Sequence, residues 1–233
     1  PLFPERRAYT VGFDLSDAEQ QLYEEVTDYV RVEMGRAERL IEQGNRKRGN
    51  NVGFALTILQ RRLASSPEAI LRSLERRQGR LGDRIREIDR LATDAKIRQD
   101  SEEFDLFSVR GISVDDYDDF DDEVSDDERA EFEEQVEEVV DLATAAQTVQ
   151  ELKTEIAMLE DLIVLARRVR NLDEDRKWVE LRSLLESEVL QSHDGEPVRK
   201  IIVFTEHRDT LSYLSEKIRR LFGRDDALVV IHG

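Results

Sequence analysis

The 233-residue sequence has no cysteine. Disulfides and thiolate metal sites are therefore excluded, and the expected setting is intracellular, in the cytoplasm. No apolar run approaches the roughly 20 residues that span a bilayer, and no signal peptide is recognisable, so no membrane partner is expected. No glycine is followed by lysine, so the G-x-x-x-x-G-K-[ST] loop that cradles nucleotide phosphates is missing. No serine sits in a recognisable nucleophile elbow. His193, His207 and His232 are too scattered for a metal site. The chain by itself therefore carries no catalytic constellation and no cofactor site. Lysine is scarce, limited to Lys47, Lys96, Lys153, Lys177, Lys200 and Lys217, and arginine supplies the rest of the positive charge.

What is abundant is acid. Charged residues make up 38% of the chain and the formal net charge is −18. An acid-rich, lysine-poor surface suits a halophile, where salt screens the self-repulsion. A GC-rich genome plus one acidic loop gives the same totals.

Residues 1–13 are an extended lead-in, since Pro1 and Pro4 exclude helix. Ser16 and Glu19 form a capping box that opens a helix with an apolar face of Leu22, Val26, Tyr29 or Val30, Ala37, Leu40 and Ile41, ending near Gly44. Val52–Ala64 is a second helix, and Ser65-Ser66-Pro67-Glu68 restarts a third. The third keeps an apolar seam through Leu71, Leu74, Gln78, Leu81, Ile85 and Ile88. It also holds the one basic region of the chain. Within it Arg76, Arg77, Arg80 and Arg84 read either as a solvated face paired with Glu75, Glu87 and Asp94, or as contacts to nucleic-acid backbone.

Residues 99–124 are an acidic loop with Phe104, Phe107, Tyr117 and Phe120 interleaved. It is a solvated excursion or a grip for a basic partner. Ser125 and Glu128 repeat the capping-box pattern, and an apolar seam from Val136 to Val169 predicts one long helix to about Leu172. Packed antiparallel on the third helix, it makes a helical hairpin with the acidic loop at its tip. Asp173-Glu174-Asp175 resembles an acidic magnesium box but follows a helix rather than a strand, which makes it a helix linker. A last helix carries Trp178, Leu181, Leu184 and Leu185, and 125–191 together form the long-helix and linker-helix region. Ser192–Pro197 is a linker.

The terminal stretch 198–233 reads as strand (Ile201–Phe204), helix (Leu211, Leu214, Ile218 and Leu221, stopped by Gly223) and strand (Ala227–Ile231). The expected fold class is mainly α, a hairpin of long helices followed by a truncated α/β, RecA-like βαβ start. A start at Pro1 without methionine fits an excised piece as well as a processed protein.

KIIVFTEHRDTLSYL with the later VVIHG resembles the opening of the second RecA-like lobe of superfamily-two helicases, above all SWI/SNF-type DNA translocases. The likeness is to prokaryotic forms such as the RNA-polymerase-associated translocase and the helicase-like component of DISARM phage defence. Leu15-Ser16 with Gln21–Val26, the run LQRRLASSPEAILRSLERR and the run DRKWVELRSLL are similar to the inter-lobe segments of the same group. Residues 14–98 are then inter-lobe helices. The resemblance implies that a longer parent protein hydrolyses ATP with magnesium and moves on double-stranded DNA, with the first RecA-like lobe as a neighbour. It further implies that Thr205 and Arg208, and His232 with Gly233, face the DNA backbone. Thr205 is equally a cap for the helix that follows, and the two roles are compatible. The chain itself is expected to lack ATPase activity. The other reading is a free-standing helical-hairpin adaptor.

Overall fold

A computed structural model describes residues 10–98, 126–171, 175–188, 200–224, 226 and 228–231, with side chains placed for all but 91–98 and 126–130. These residues are mainly helical: α1 Asp17–Glu42, α2 Arg46–Ser65, α3 Pro67–Arg98, α4 Asp126–Leu142, α5 Val149–Asn171, α6 Arg176–Glu188 and α7 Arg208–Phe222. The acidic loop, the Ser192–Pro197 linker and the capping box at Ser125 and Glu128 lie outside the described residues.

The capping box and glycine stop expected for α1 are present, while α2 begins at Arg46, ahead of the expected Val52. The Ser16 hydroxyl accepts from the Glu19 amide at 3.3 Å and the Glu19 carboxylate accepts from the Ser16 amide at 2.8 Å, which supplies two of the orphan donors at the start of α1. Its other end closes at Gly44, whose φ of 95° needs a residue without a Cβ. Gly44 N–H reaches Ile41 O and Asn45 N–H reaches Leu40 O, the bond pair of a Schellman motif. The chain then turns back and α2 packs along α1. At their closest approach a Cβ on Gly49 would stand 2.4 Å from Ile41 Cγ1 and 2.7 Å from the Ala37 carbonyl oxygen. Gly49→Ala gains helix propensity but must push a backbone oxygen aside. It is expected to lower stability by about 1–3 kcal/mol in urea unfolding.

α3 runs antiparallel to α5, as the ascending order Glu68, Glu75, Gln78 meets the descending order Arg170, Arg167, Glu160. α4 lies across α2 and α3. One apolar core joins α1 to α5, with Leu22, Val26, Leu40, Phe54, Leu56, Leu59, Leu71, Leu74, Leu152 and Leu159 at its centre. A second, smaller cluster sits apart, where Trp178 and Leu185 of α6 meet Ile218 of α7 with Leu181, Leu214, Leu221 and Leu228 around them.

Two expectations need correction. The single helix to Leu172 is two helices, separated by a non-helical passage from Ala143 to Thr148. Alanine favours helix, so propensity is not the cause. Thr144 accepts from the Ala146 amide at 3.0 Å, and Thr148 starts α5 afresh by accepting from Glu151 N–H at 3.2 Å. Such hydroxyl bonds compete with the helical ladder. The second correction concerns the βαβ start. α7 forms and stops at Gly223 (φ 63°) as expected, but no strand is present among the described residues on either side of it. Residues 201–204 and 228–231 have no regular secondary structure and lack the ladder bonds a strand requires.

Candidate functional site

The candidate site is the junction where the α2–α3 turn meets the starts of α6 and α7. Ser66 caps α3, accepting from the Ala69 amide at 3.1 Å. Its hydroxyl and that of Ser65 both hydrogen-bond the Thr210 hydroxyl, at 2.8 and 2.7 Å. Asp175 caps α6, accepting from the Trp178 amide at 3.1 Å, and its other oxygen accepts from the Tyr213 hydroxyl at 2.9 Å. The Lys177 ammonium donates to the Ala64 carbonyl. Between these groups lies a cavity of about 420 Å³ whose wall includes Arg61, Lys177, Trp178, Phe204, Thr205 and Thr210. Its lining sets two cations, Arg61 and Lys177, against two acids, Asp175 and Glu206, with Trp178, Phe204 and Tyr213 among hydroxyls, so charge alone does not select a ligand there.

No family model, curated protein or solved structure matches this chain.

The residues expected to face DNA are only partly brought together. Thr205 lines the cavity. It is not the α7 cap: that position is His207, whose side chain makes no capping bond. Arg208 is exposed on the α7 start and pairs with Glu133 of α4 at 2.9 Å. His232 and Gly233 lie outside the described residues. On α3, Arg80 is exposed and Arg84 pairs with Glu87 at 3.6 Å. Arg76 reaches Glu137 at 2.9 Å, Asp141 at 3.7 Å and Asp209 at 3.2 Å. Asp175 belongs to a helix start, as the linker reading requires. Among the described residues no group of three His, Asp or Glu side chains is arranged for a metal.

Arg77 corrects the surface reading. Its side chain is fully buried and so is that of Glu155, 2.7 Å away. Arg77 also donates to the Tyr29 hydroxyl (3.0 Å) and to the carbonyls of Val140 (2.7 Å) and Ala143 (2.5 Å). It cannot contact DNA. Glu155 in turn accepts from Tyr29 at 3.0 Å and from Thr144 at 2.5 Å. Arg48 donates to the carbonyls of Thr144 and Ala146 from the other side. Two arginines thus satisfy the carbonyls that the passage between α4 and α5 leaves without helical partners.

This buried hub lies within α1–α5. Burial works against the Arg77 charge, but Tyr29 and Glu155 beside it more than restore it and raise its pKa. Burial likewise raises the Tyr29 hydroxyl well above its usual range. Glu33 borders the hub with an unpartnered carboxylate oxygen. Burial first and Glu155 second lift its pKa to about 7, against the pull of Arg36 and Arg77. In sequence the hub is visible only as two charges in apolar seams. Arg77 falls three residues after Leu74 and four before Leu81, and Glu155 three after Leu152.

Proposed function

We propose that the chain is the inter-lobe section, with the opening of the second RecA-like lobe, of an ATP-dependent SWI/SNF-type DNA translocase or helicase. In that role α1–α5 would relay ATP-driven lobe closure to movement on duplex DNA, and the α7 region would lie against the DNA backbone. ATP and magnesium would be bound elsewhere in the parent protein.

One observation carries this reading. The two strand-forming segments that flank α7 alternate in exposure with a period of two. Ile202 (76% exposed), Phe204 (89%), Val229 (81%) and Ile231 (85%) are the most exposed, Ile201 (42%) and Val203 (38%) are exposed as well, and Leu228 and Val230 are half-buried. Strand-length segments that are apolar on both sides belong to a sheet covered on both faces, and an uncovered apolar side calls for a further layer of protein. The sequence order of strand-forming run, helix and strand-forming run is the one a parallel α/β unit uses. The adaptor reading draws on a different feature, the self-contained core of α1–α5.

The coding sequence on either side separates the two. A phosphate-binding loop upstream and arginine-bearing motifs downstream support the motor; stop codons at both ends sink it. DNA contact has its own test. Arg80 and Arg84, unlike Arg77, have side chains within reach of solvent. Replacing both by glutamine is expected to weaken duplex binding by the full chain and to flatten its dependence on salt by about one to two phosphate contacts. Unchanged affinity and slope would remove α3 from the DNA path.

A further inference from the structure

We propose that α7, with α6 packed on it, is held on the helical body by a polar latch, centred on Arg76 and Thr210, that releases the two together while α1–α5 stay folded. The proposal stands whether or not the chain belongs to a DNA motor.

The apolar cores do not merge across the junction. Leu214, Ile218, Leu221 and Phe222 of α7 pack with Trp178 and Leu185 of α6, in a cluster separate from the one that joins α1 to α5. Apolar burial therefore couples α7 to α6, while the α7 backbone runs close to α3 of the body. The side-chain contacts from α6 and α7 to the body are polar, among them the Arg176 amide on Glu19 and the Lys177 ammonium on the Ala64 carbonyl. Thr210 bonds the hydroxyls of Ser65 and Ser66. Asp209 meets Arg76 at 3.2 Å, Arg208 meets Glu133 at 2.9 Å and Glu206 lies 3.9 Å from Arg61.

The ion pairs are open to solvent. Side-chain exposure is 35% and 33% for Arg76 and Asp209, and 65% and 44% for Arg208 and Glu133. Pairs at that exposure contribute little each and are screened by salt. The closed junction also keeps buried polar atoms without a hydrogen bond, namely Arg76 Nε, Asp141 Oδ1 and His207 Nε2. Water would satisfy all three on release, which lowers the cost of opening. The body has the opposite character, with a continuous apolar core and the Arg77–Glu155 hub. A weak polar seam between two apolar clusters is where a sub-global opening is expected.

Release would open the cavity wall formed by Ser65, Ser66, Asp175, Thr210 and Tyr213. The latch thus decides whether that polar surface is shut in or presented.

Hydrogen exchange on the full chain tests it. Amides of α7 are expected to exchange through an opening that leaves α2 amides protected, and about tenfold faster when salt rises from low to roughly 1 M. Salt has the reverse effect on the body, because it screens the self-repulsion of a net −18 chain. Arg76→Gln and Asp209→Asn should each speed α7 exchange at low salt and shrink its salt response, with α2 unchanged. Because the chain has no cysteine, Ser65→Cys with Thr210→Cys gives a clean cross-link across the 2.7 Å hydroxyl pair. Oxidation should bring α7 exchange down to the α2 rate. The proposal is overturned if α7 and α2 exchange together in the unmodified chain, or if α7 exchange does not respond to salt. It also fails if both substitutions change the two helices alike.

Discussion

Arg77→Met is expected to lower the unfolding free energy by about 3–5 kcal/mol, the usual loss when one member of a buried ion pair is removed. Three losses coincide. Glu155 loses its cation while it has no exposed surface and only the hydroxyls of Tyr29 and Thr144 as other partners. The carbonyls of Val140 and Ala143 lose their donors. The Tyr29 hydroxyl loses its link to α3. Arg77→Lys separates charge from geometry. An ammonium keeps the charge but cannot serve acceptors on α1, on α5 and on both carbonyls at once, so only part of the stability should return. In the double variant Arg77→Met with Glu155→Met the unpaired charge is gone, and the loss should shrink to about 1–3 kcal/mol for the orphaned carbonyls. Urea unfolding of the parent, Arg77→Met, Glu155→Met and the double variant reads the coupling directly. Additive losses would mean that the pair does not organise the passage between α4 and α5.

Stability is expected to fall as pH rises from about 5 to about 8, and Glu33 is the main cause. Its carboxyl is raised from 4.5 to about 7, so the folded chain holds a proton that the unfolded chain has lost. The stabilisation is complete below the unfolded value and is lost as pH rises through about 7. A rise of that size corresponds to about 3 kcal/mol. Asp141, raised from 3.8 to about 6 mainly by burial, acts in the same direction and loses its contribution as pH rises through about 6. His207 opposes them. Burial lowers its pKa from 6.5, so its contribution is present above that value and is lost as pH falls through the folded one. Glu33→Gln keeps an acceptor for Arg36, which stands 3.1 Å from the carboxylate, and removes the proton. It should make the protein more stable than the parent at pH 8, leave it little changed at pH 5, and flatten most of the slope between. Thermal unfolding at the two pH values measures this, and an unaltered slope would show that Glu33 does not titrate as its surroundings dictate.

These two predictions arise from residues whose importance was least legible in the sequence. The capping box at Ser16, the stops at Gly44 and Gly223 and the apolar faces of α1, α2 and α7 were readable because each depends on local spacing. The antiparallel run of α3 with α5 followed from two long apolar seams that need each other. The passage from Ala143 to Thr148 was hidden by its alanines. Its signal was Thr148 followed by Glu151, a second helix start inside an apparently continuous seam. Arg77 belonged, by type and by neighbours, to an arginine-rich face, and only the fold shows it turned inward on Glu155. Charge pairing across 78 residues leaves no local pattern. The strands beside α7 failed for a related reason. Their residues are strand formers, but a strand exists only beside another.

The motor reading rests most heavily on that last region, and one measurement bears on it directly. ATP hydrolysis by the full-length product of the gene, with and without duplex DNA, is predicted to be present and strongly stimulated by DNA. A full-length protein that hydrolyses no ATP under either condition would contradict the account.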